Sequence, residues 1–480
     1  MPQYQFLQWC LYALWALLVF AYGACLGSLI NVIAYRMPKG ISIVTPPSRC
    51  PACSTKLSWR DNIPVLGWIA LRGRCRYCKT RISPEYPIVE AAVGFLFVVF
   101  YVIWYVVPGT SPLGGALNVL TPYWAVMNDA SRTWPEFVVL LILVASLFAM
   151  TLVDAKTFTI PIQLTWVPAI VAAVVYPLHA AWVSRPGSFG VRTTPGWNWM
   201  IACPDVTRWD WIGLSLGGML GIGIGLLLLR TGLVGRSFAD YAEWEAKAKA
   251  SAQTADAVGT AAAAQQDQPN ADAAQITTST PTTPPSNSAP PSSPPSSADP
   301  NANPEMWMAY PHARREMVRE LAFLAPCVLL MLVGWYAGRH FGGVSYDPIF
   351  GAYSAKAAAP LWLAVLSGVF LGYLIGGGVV WFVRIFGSFA FGKEAMGLGD
   401  VHMMAGVGAA LGWIMATLGF FGAAFVGIAW ALLGRLAGGG FKRMLPYGPF
   451  LAVATVLVVV CKPAVEWGLS HLTGQPIRLP

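Results

Sequence analysis

Charge is what this sequence has least of. Of 480 residues only 11% are Asp, Glu, Lys or Arg, against 56% hydrophobic ones that include 21 Trp, 23 Phe and 17 Tyr. Soluble domains carry about a quarter charged residues, so that class is excluded and a polytopic membrane protein is indicated. The first apolar segment lacks a basic leader region and an Ala-x-Ala cleavage site, and therefore reads as an uncleaved anchor. Aromatic residues are missing from 245–306, which run instead through Ala, Ser, Thr, Gln and Pro. Such a composition cannot bury enough apolar area to offset its ordering entropy. We expect 231–318 to be a disordered cytoplasmic linker with no chemistry of its own.

What is present is a series of apolar runs near 9–34, 86–107, 137–153, 160–183, 211–229, 320–338, 361–383, 401–434 and 449–466. The run at 401–434 is too long for one span of about 20 residues and carries Gly412-Trp413 inside it, so it reads as two short helices. The expected fold is an all-α polytopic membrane protein of about 8–10 transmembrane helices. Its parts are a first span (1–35), a cytoplasmic loop holding four cysteines (36–85), membrane helices (86–230), the linker, and further membrane helices (319–480). Small-residue patterns at 214–218 and 366–372 read as close helix packing.

The net charge of +9 could suggest a nucleic-acid partner. Its distribution points elsewhere. Residues 36–84 hold ten basic residues and one acid, Asp61. The positive-inside rule puts that loop in the cytoplasm and the N-terminus outside, and the later loops alternate consistently. Arg72, Arg74 and Arg76 are expected to meet anionic headgroups, at about 1 kcal/mol each. No nucleic-acid partner is expected.

Cysteines are few, nine in all, but four are grouped as Cys50-Pro-Ala-Cys53 and Cys75-Arg-Tyr-Cys78. Two Cys-x-x-Cys knuckles at this spacing can close a tetrahedral zinc-ribbon-like site. In a reducing compartment zinc is favoured over disulfides. A closed four-sulfur site makes the zinc structural. The other five cysteines read as inert thiols.

Two carboxylates stand at helix ends. Asp400 follows Gly397-Leu398-Gly399, with Glu394 just upstream; Asp154 ends a long apolar run and precedes Lys156. An ionisable group in hydrocarbon costs roughly 2.5 kcal/mol or more, so a functional role is the first hypothesis. Alone, Asp400 reads equally as a helix cap, and Asp154 as an interfacial partner of Lys156. The topology places both on one face, however. Two carboxylates sharing a site hold one proton between them, as hydrolysis of a peptide bond by general acid–base catalysis requires. The glycines are expected to allow a tight turn and close substrate approach. Asn31 and Glu90 read as bonds between helices.

The chain resembles the type IV prepilin peptidase family of membrane aspartic peptidases. The resemblance rests on Gly27-Ser28-Leu29-Ile30-Asn31, Ser48-Arg49-Cys50-Pro51-Ala52-Cys53, Trp59-Arg60-Asp61-Asn62 and Leu71-Arg72-Gly73-Arg74-Cys75 with Cys78. It continues in Pro84-Glu85-Tyr86-Pro87-Ile88-Val89-Glu90, Asp154, Lys393-Glu394-Ala395-Met396-Gly397-Leu398-Gly399-Asp400 and Leu445-Pro446-Tyr447-Gly448-Pro449-Phe450. It implies that Asp154 and Asp400 are the catalytic pair, supported by Gly397, Gly399 and Glu394. Cleavage is then of a short basic leader from type IV prepilins or type II secretion pseudopilins, at the cytoplasmic face of the bacterial inner membrane. The resemblance also implies N-methylation with S-adenosylmethionine, for which no sequence pattern is readable here. Two departures stand out. The family's usual second Asp after the first aspartate motif is replaced by Ile162. The aspartates also lie 400 − 154 = 246 positions apart, with what reads as two added crossings and the linker between them. Catalysis then requires the added segments to pack outside the core bundle. A proton-coupled transporter and a catalytically idle assembly platform are the competing classes; the first calls for acids nearer mid-membrane.

Overall fold

A computed structural model of the chain describes residues 2–107, 130–185, 201–238, 312–342, 344–347, 352–355, 357–392, 394–436, 446–477 and 479, with 240, 243, 244 and 247. Most of the expected linker lies outside the described residues. The main helices among them are α1 (Pro2–Arg36), α2 (Glu85–Tyr101), α3 (Ala130–Thr157), α4 (Ile162–Val183), α5 (Trp209–Arg230), α6 (Ala313–Phe341), α7 (Leu361–Phe391), α8 (Leu398–Leu436), α9 (Gly448–Val460) and α10 (Lys462–Thr473). Among the described residues eight helices are long and apolar enough to cross a membrane, or nine if the bent pair α9–α10 is one span. The all-α membrane fold is as expected. A small antiparallel hairpin was not expected: β1 (Val344–Asp347) pairs β2 (Ala352–Ala355), with Val344 opposite Ala355.

Boundaries follow local chemistry. Helix α1 stops where Pro38 and Gly40 follow Arg36, and Gly40 takes the left-handed conformation (φ 66°) as cap of a short 3-10 turn. α6 begins at Ala313, inside the stretch assigned to the linker, because its first turns are polar and carry no hydropathy signal. The final run does not continue as one helix. α9 ends at Val460 and α10 leaves it at 84°, with a proline at its start that cannot continue the α9 ladder.

The long run of α8 is broken where the sequence indicates. Gly412 has φ 82° and ψ 163° in the middle of it. Such a conformation is essentially reserved for glycine. A side chain there would also meet Ala202 N at 3.1 Å and Ile201 Cα at 3.2 Å. The chain reverses at this point. Gly406 lies against Thr165 of α4, whereas Gly419 and Gly427 lie against Thr455 and Phe450 of α9.

One hydrophobic core joins α1–α4 with α7–α9, and α5 and α6 supply none of its buried residues. Those two helices instead pair tightly with each other. A methyl on Gly213 would come within 2.0 Å of Gly334 O, and one on Gly217 within 2.0 Å of Leu330 O, so only glycine allows this approach. The pair lies on the outer side of α7, with Ser215 and Ser367 hydroxyls 2.8 Å apart. The small-residue patterns at 214–218 and 366–372 are therefore sites of close helix packing, and the α5–α6 pair lies outside the core.

Candidate active site

The four-cysteine loop and both aspartates share one end of the bundle. Lys156, two residues past Asp154, pairs with Glu85 at the start of α2, and Asn31 Nδ2 donates to Tyr86 O at 3.1 Å. Lys156 is thus engaged by Glu85 rather than by Asp154. Glu90 accepts from Val65 N–H at 2.7 Å, tying α2 to the loop. Asn31 and Glu90 are joints, as their surroundings suggested.

Asp154 and Asp400 are both buried, at 5% and 8% exposure. Each carboxylate lies against a glycine: a methyl on Gly448 would stand 2.5 Å from Asp154 Oδ2, and one on Gly397 3.6 Å from Asp400 Oδ2. Asp154 sits near the C-terminus of α3, where the helix dipole disfavours a negative group. Gly448 is the first residue of α9, so its amide presents the positive end of a second helix to the same carboxylate. Asp400 already lies in the first turn of α8. The chain leaves α3 through Phe158, left-handed at φ 55°, and Pro161 opens α4. Between them Ile160 wedges the site. A methyl on Gly399 would meet its Cβ at 2.9 Å, and one on Gly448 its Cδ1 at 3.2 Å. The two aspartate-bearing segments are brought together around this one side chain. Asp400 is near enough for its charge to interact with those of Asp154, Arg384 and Glu394.

Gly397 and Gly399 are not in left-handed conformations. Gly399 is required for packing on Ile160, which is a different reason from the tight turn the sequence suggested. Three residues went unassigned by sequence reasoning: Gly448, Arg384 and Glu320. Gly448 stood within a quoted motif but had no role. Arg384 and Glu320, 2% and 3% exposed, are charged residues within apolar helices, a signal that was available. Ile162, at the position of the missing aspartate, is the first residue of α4 and about one-third exposed.

The four cysteines converge. Their sulfur atoms all lie within 4.8 Å of one another, and Cys50 Sγ and Cys78 Sγ are 3.7 Å apart. A disulfide needs about 2.05 Å, whereas a tetrahedral site with Zn–S near 2.3 Å has edges of about 3.8 Å. The spacing fits zinc. The two knuckles are also built alike. Cys50 N donates to Thr55 O and Cys75 N to Thr80 O, at 3.0 and 2.9 Å. Ser54 and Lys79 are left-handed (φ 56° and 59°), and short bridges close each turn, Arg49 with Lys56 and Arg74 with Arg81. Hydrogen bonds from the Thr80 side chain and backbone pull the Cys78 thiol down to about 6, and Thr55 lowers Cys53 in the same way. Cys53 and Cys78 thus favour the thiolate a metal requires, whereas Cys50, buried beside the other cysteines, is pushed up to about 11. A cleft of about 240 Å³ lies beside this end of the bundle, lined among others by Asn31, Lys39, Glu85, Lys156 and Thr157.

Residues 21–104 match the bacterial peptidase A24 N-terminal domain. The match covers the end of α1, the four-cysteine loop and α2, but neither aspartate. The chain is 36% identical over 167 residues to a prepilin leader peptidase/N-methyltransferase of Myxococcus xanthus, covering 34% of this chain and 42% of that one. Its relatives are prepilin leader peptidases. A namesake from Klebsiella pneumoniae is 35% identical over 176 residues (35% and 65%). Another, from Burkholderia pseudomallei, is 29% identical over 237 residues (44% and 65%). The chain spans about half the length of the prepilin peptidases it matches, 42–65% in the three named here. No solved structure matches. The resemblance to this family read from the motifs is therefore borne out.

Proposed function

We propose that this chain is a membrane-embedded aspartic endopeptidase that removes the short basic leader of type IV prepilins or type II secretion pseudopilins. The observation that supports the reading is that Asp154 and Asp400, 246 positions apart, are both buried and stand on segments that pack together at Ile160. Two such carboxylates titrate as a unit. With one proton between them, the ionised member takes a proton from water as it attacks the scissile carbonyl carbon. The protonated member hydrogen-bonds the carbonyl oxygen and then helps deliver a proton to the departing amine.

The site lies at the cytoplasmic face of the inner membrane, with the N-terminus outside, as the basic loops direct. A cationic leader meets it from the water while the apolar helix of the substrate waits in lipid. Cys50, Cys53, Cys75 and Cys78 hold a structural zinc that folds the loop over α2. Methylation of the new N-terminus with S-adenosylmethionine is the second activity of this chain, on the strength of the relatives being N-methyltransferases by name.

Co-expression with a tagged prepilin tests the reading. Wild type should shorten the prepilin on a gel, and Asp154→Asn and Asp400→Asn should each lose about 10²–10⁴-fold in rate. Processing by either single variant at the wild-type rate would remove the dyad.

A further inference from the structure

Helices α5 and α6 pack outside the core, yet one residue of α6 bonds the α7 arginine that reaches the Asp400 loop. Glu320 and Arg384 form a buried ion pair. Arg384 Nη2 donates to Glu320 Oε1 at 2.9 Å and its Nε to both carboxylate oxygens at 3.1 Å. Trp381 Nε1 fixes the same carboxylate by donating to Oε2 at 2.7 Å. The far side of the guanidinium points at the loop. Its Nη1 donates to Glu394 and to the carbonyl of Met396, and the Phe238 ring lies 5.2 Å from its carbon.

The Met396 carbonyl and the Gly397 N–H belong to one rigid peptide plane. Arg384 holds the oxygen of that plane, and Gly397 on its other side is tied to Asp400, whose N–H donates to Gly397 O at 3.2 Å and whose Oδ2 would lie 3.6 Å from a methyl on Gly397. We propose that Glu320 is a positioning residue for the Asp400 carboxylate, acting through Arg384 on the Met396–Gly397 peptide. This rests on the peptidase reading above.

The outer helix α6 is then part of the working enzyme. Without Glu320 the guanidinium is left in the interior with Glu394 as its remaining carboxylate, so it must shift toward that side. The peptide plane turns with it. The Ala395 N–H, which donates to Ser388 Oγ at 3.0 Å, offers the loop one further tether, and that bond does not fix the plane's rotation.

The test uses the full chain in lipid nanodiscs with a purified prepilin, comparing wild type, Glu320→Ala and Glu320→Gln. Amide hydrogen exchange over 394–400 is followed alongside cleavage. Loss of a charge-assisted bond should raise exchange there about tenfold in Glu320→Ala and lower kcat by a similar factor, with KM within about twofold. Glu320→Gln keeps an acceptor for Trp381 and Arg384 and should recover part of both. A purely structural ion pair would lower the melting temperature and leave exchange over 394–400 and kcat alone, which overturns the proposal. Faster exchange with wild-type kcat overturns it as well. Should Glu320→Ala fail to fold, Trp381→Phe, which removes only the bond orienting Glu320, replaces it with the same expected directions. If wild type itself leaves the prepilin intact, the peptidase reading falls separately, and exchange over 394–400 alone decides whether Glu320 positions the loop.

Discussion

A methyl group placed on Gly448 would lie 2.5 Å from Asp154 Oδ2. The first residue of α9 and the aspartate at the end of α3 are thus in direct contact, through a backbone amide that only a side-chain-free residue can bring so close. This explains why the stretch Leu445-Pro446-Tyr447-Gly448 belongs with a site whose named acids lie far from it in sequence.

Gly448→Ala should therefore push the Asp154 carboxylate off its amide. A displacement of about 1 Å in a catalytic group costs on the order of 10²-fold. The expected result is a loss of that size in kcat for prepilin cleavage, with the protein still folded by its melting curve. Wild-type kcat in this variant would show that the contact does not matter.

Zinc should be present at one ion per chain. Elemental analysis of the purified protein measures it, and Cys50→Ser, Cys53→Ser, Cys75→Ser and Cys78→Ser should each lower it strongly. Binding energy at such a site is folding energy, so chelation should make the loop between α1 and α2 sensitive to protease. Full zinc occupancy in a variant missing either knuckle would rule out the four-sulfur site.

Asp61 sets a pH dependence within this loop. Its side chain, 1% exposed, pairs with Arg76 at 2.6 Å, and the Arg76 hydrogen bonds hold its carboxyl below the usual 3.8. A folded-state value below the unfolded one adds stability that is fully present above the unfolded value and disappears as pH falls through the folded one. Asp61→Asn should accordingly lower the loop's thermal stability equally at pH 8 and pH 6, and the difference should close only below about pH 4. Thermal protease-sensitivity profiles of the two proteins provide the measurement. A penalty that already vanishes at pH 6 would refute the pairing.

Gly412→Ala tests the reversal within α8. The backbone there is open to glycine alone, and strain of this kind costs about 1–3 kcal/mol. The melting midpoint should drop, while Gly378→Ala, where no atom lies within 4 Å of the added carbon, should leave it unchanged. Equal midpoints for both variants would mean that the chain does not turn at 412.

Much of this was decided by the sequence alone, because the bilayer restricts what a chain can do. Low charge and long apolar runs require helices, since no water is present to satisfy an open backbone. The break at Gly412 was legible because one span cannot use that many residues. The four-cysteine cluster was legible because Cys-x-x-Cys spacing is a local property, although the matching turns at Ser54 and Lys79 emerge only from the backbone angles. Asp154 and Asp400 could be named from helix ends, charge bias and family resemblance. Their meeting could not be derived from any of these, since 246 positions and two extra helices intervene. That their two segments lie side by side was decided in three dimensions, by Ile160 fitting between two glycines and by the α9 N-terminus facing the α3 C-terminus. The link from Glu320 through Arg384 to the Asp400 loop was invisible for the same reason. A buried Glu in α6 and a buried Arg in α7 each advertise a missing partner, but only packing says that they are partners of one another.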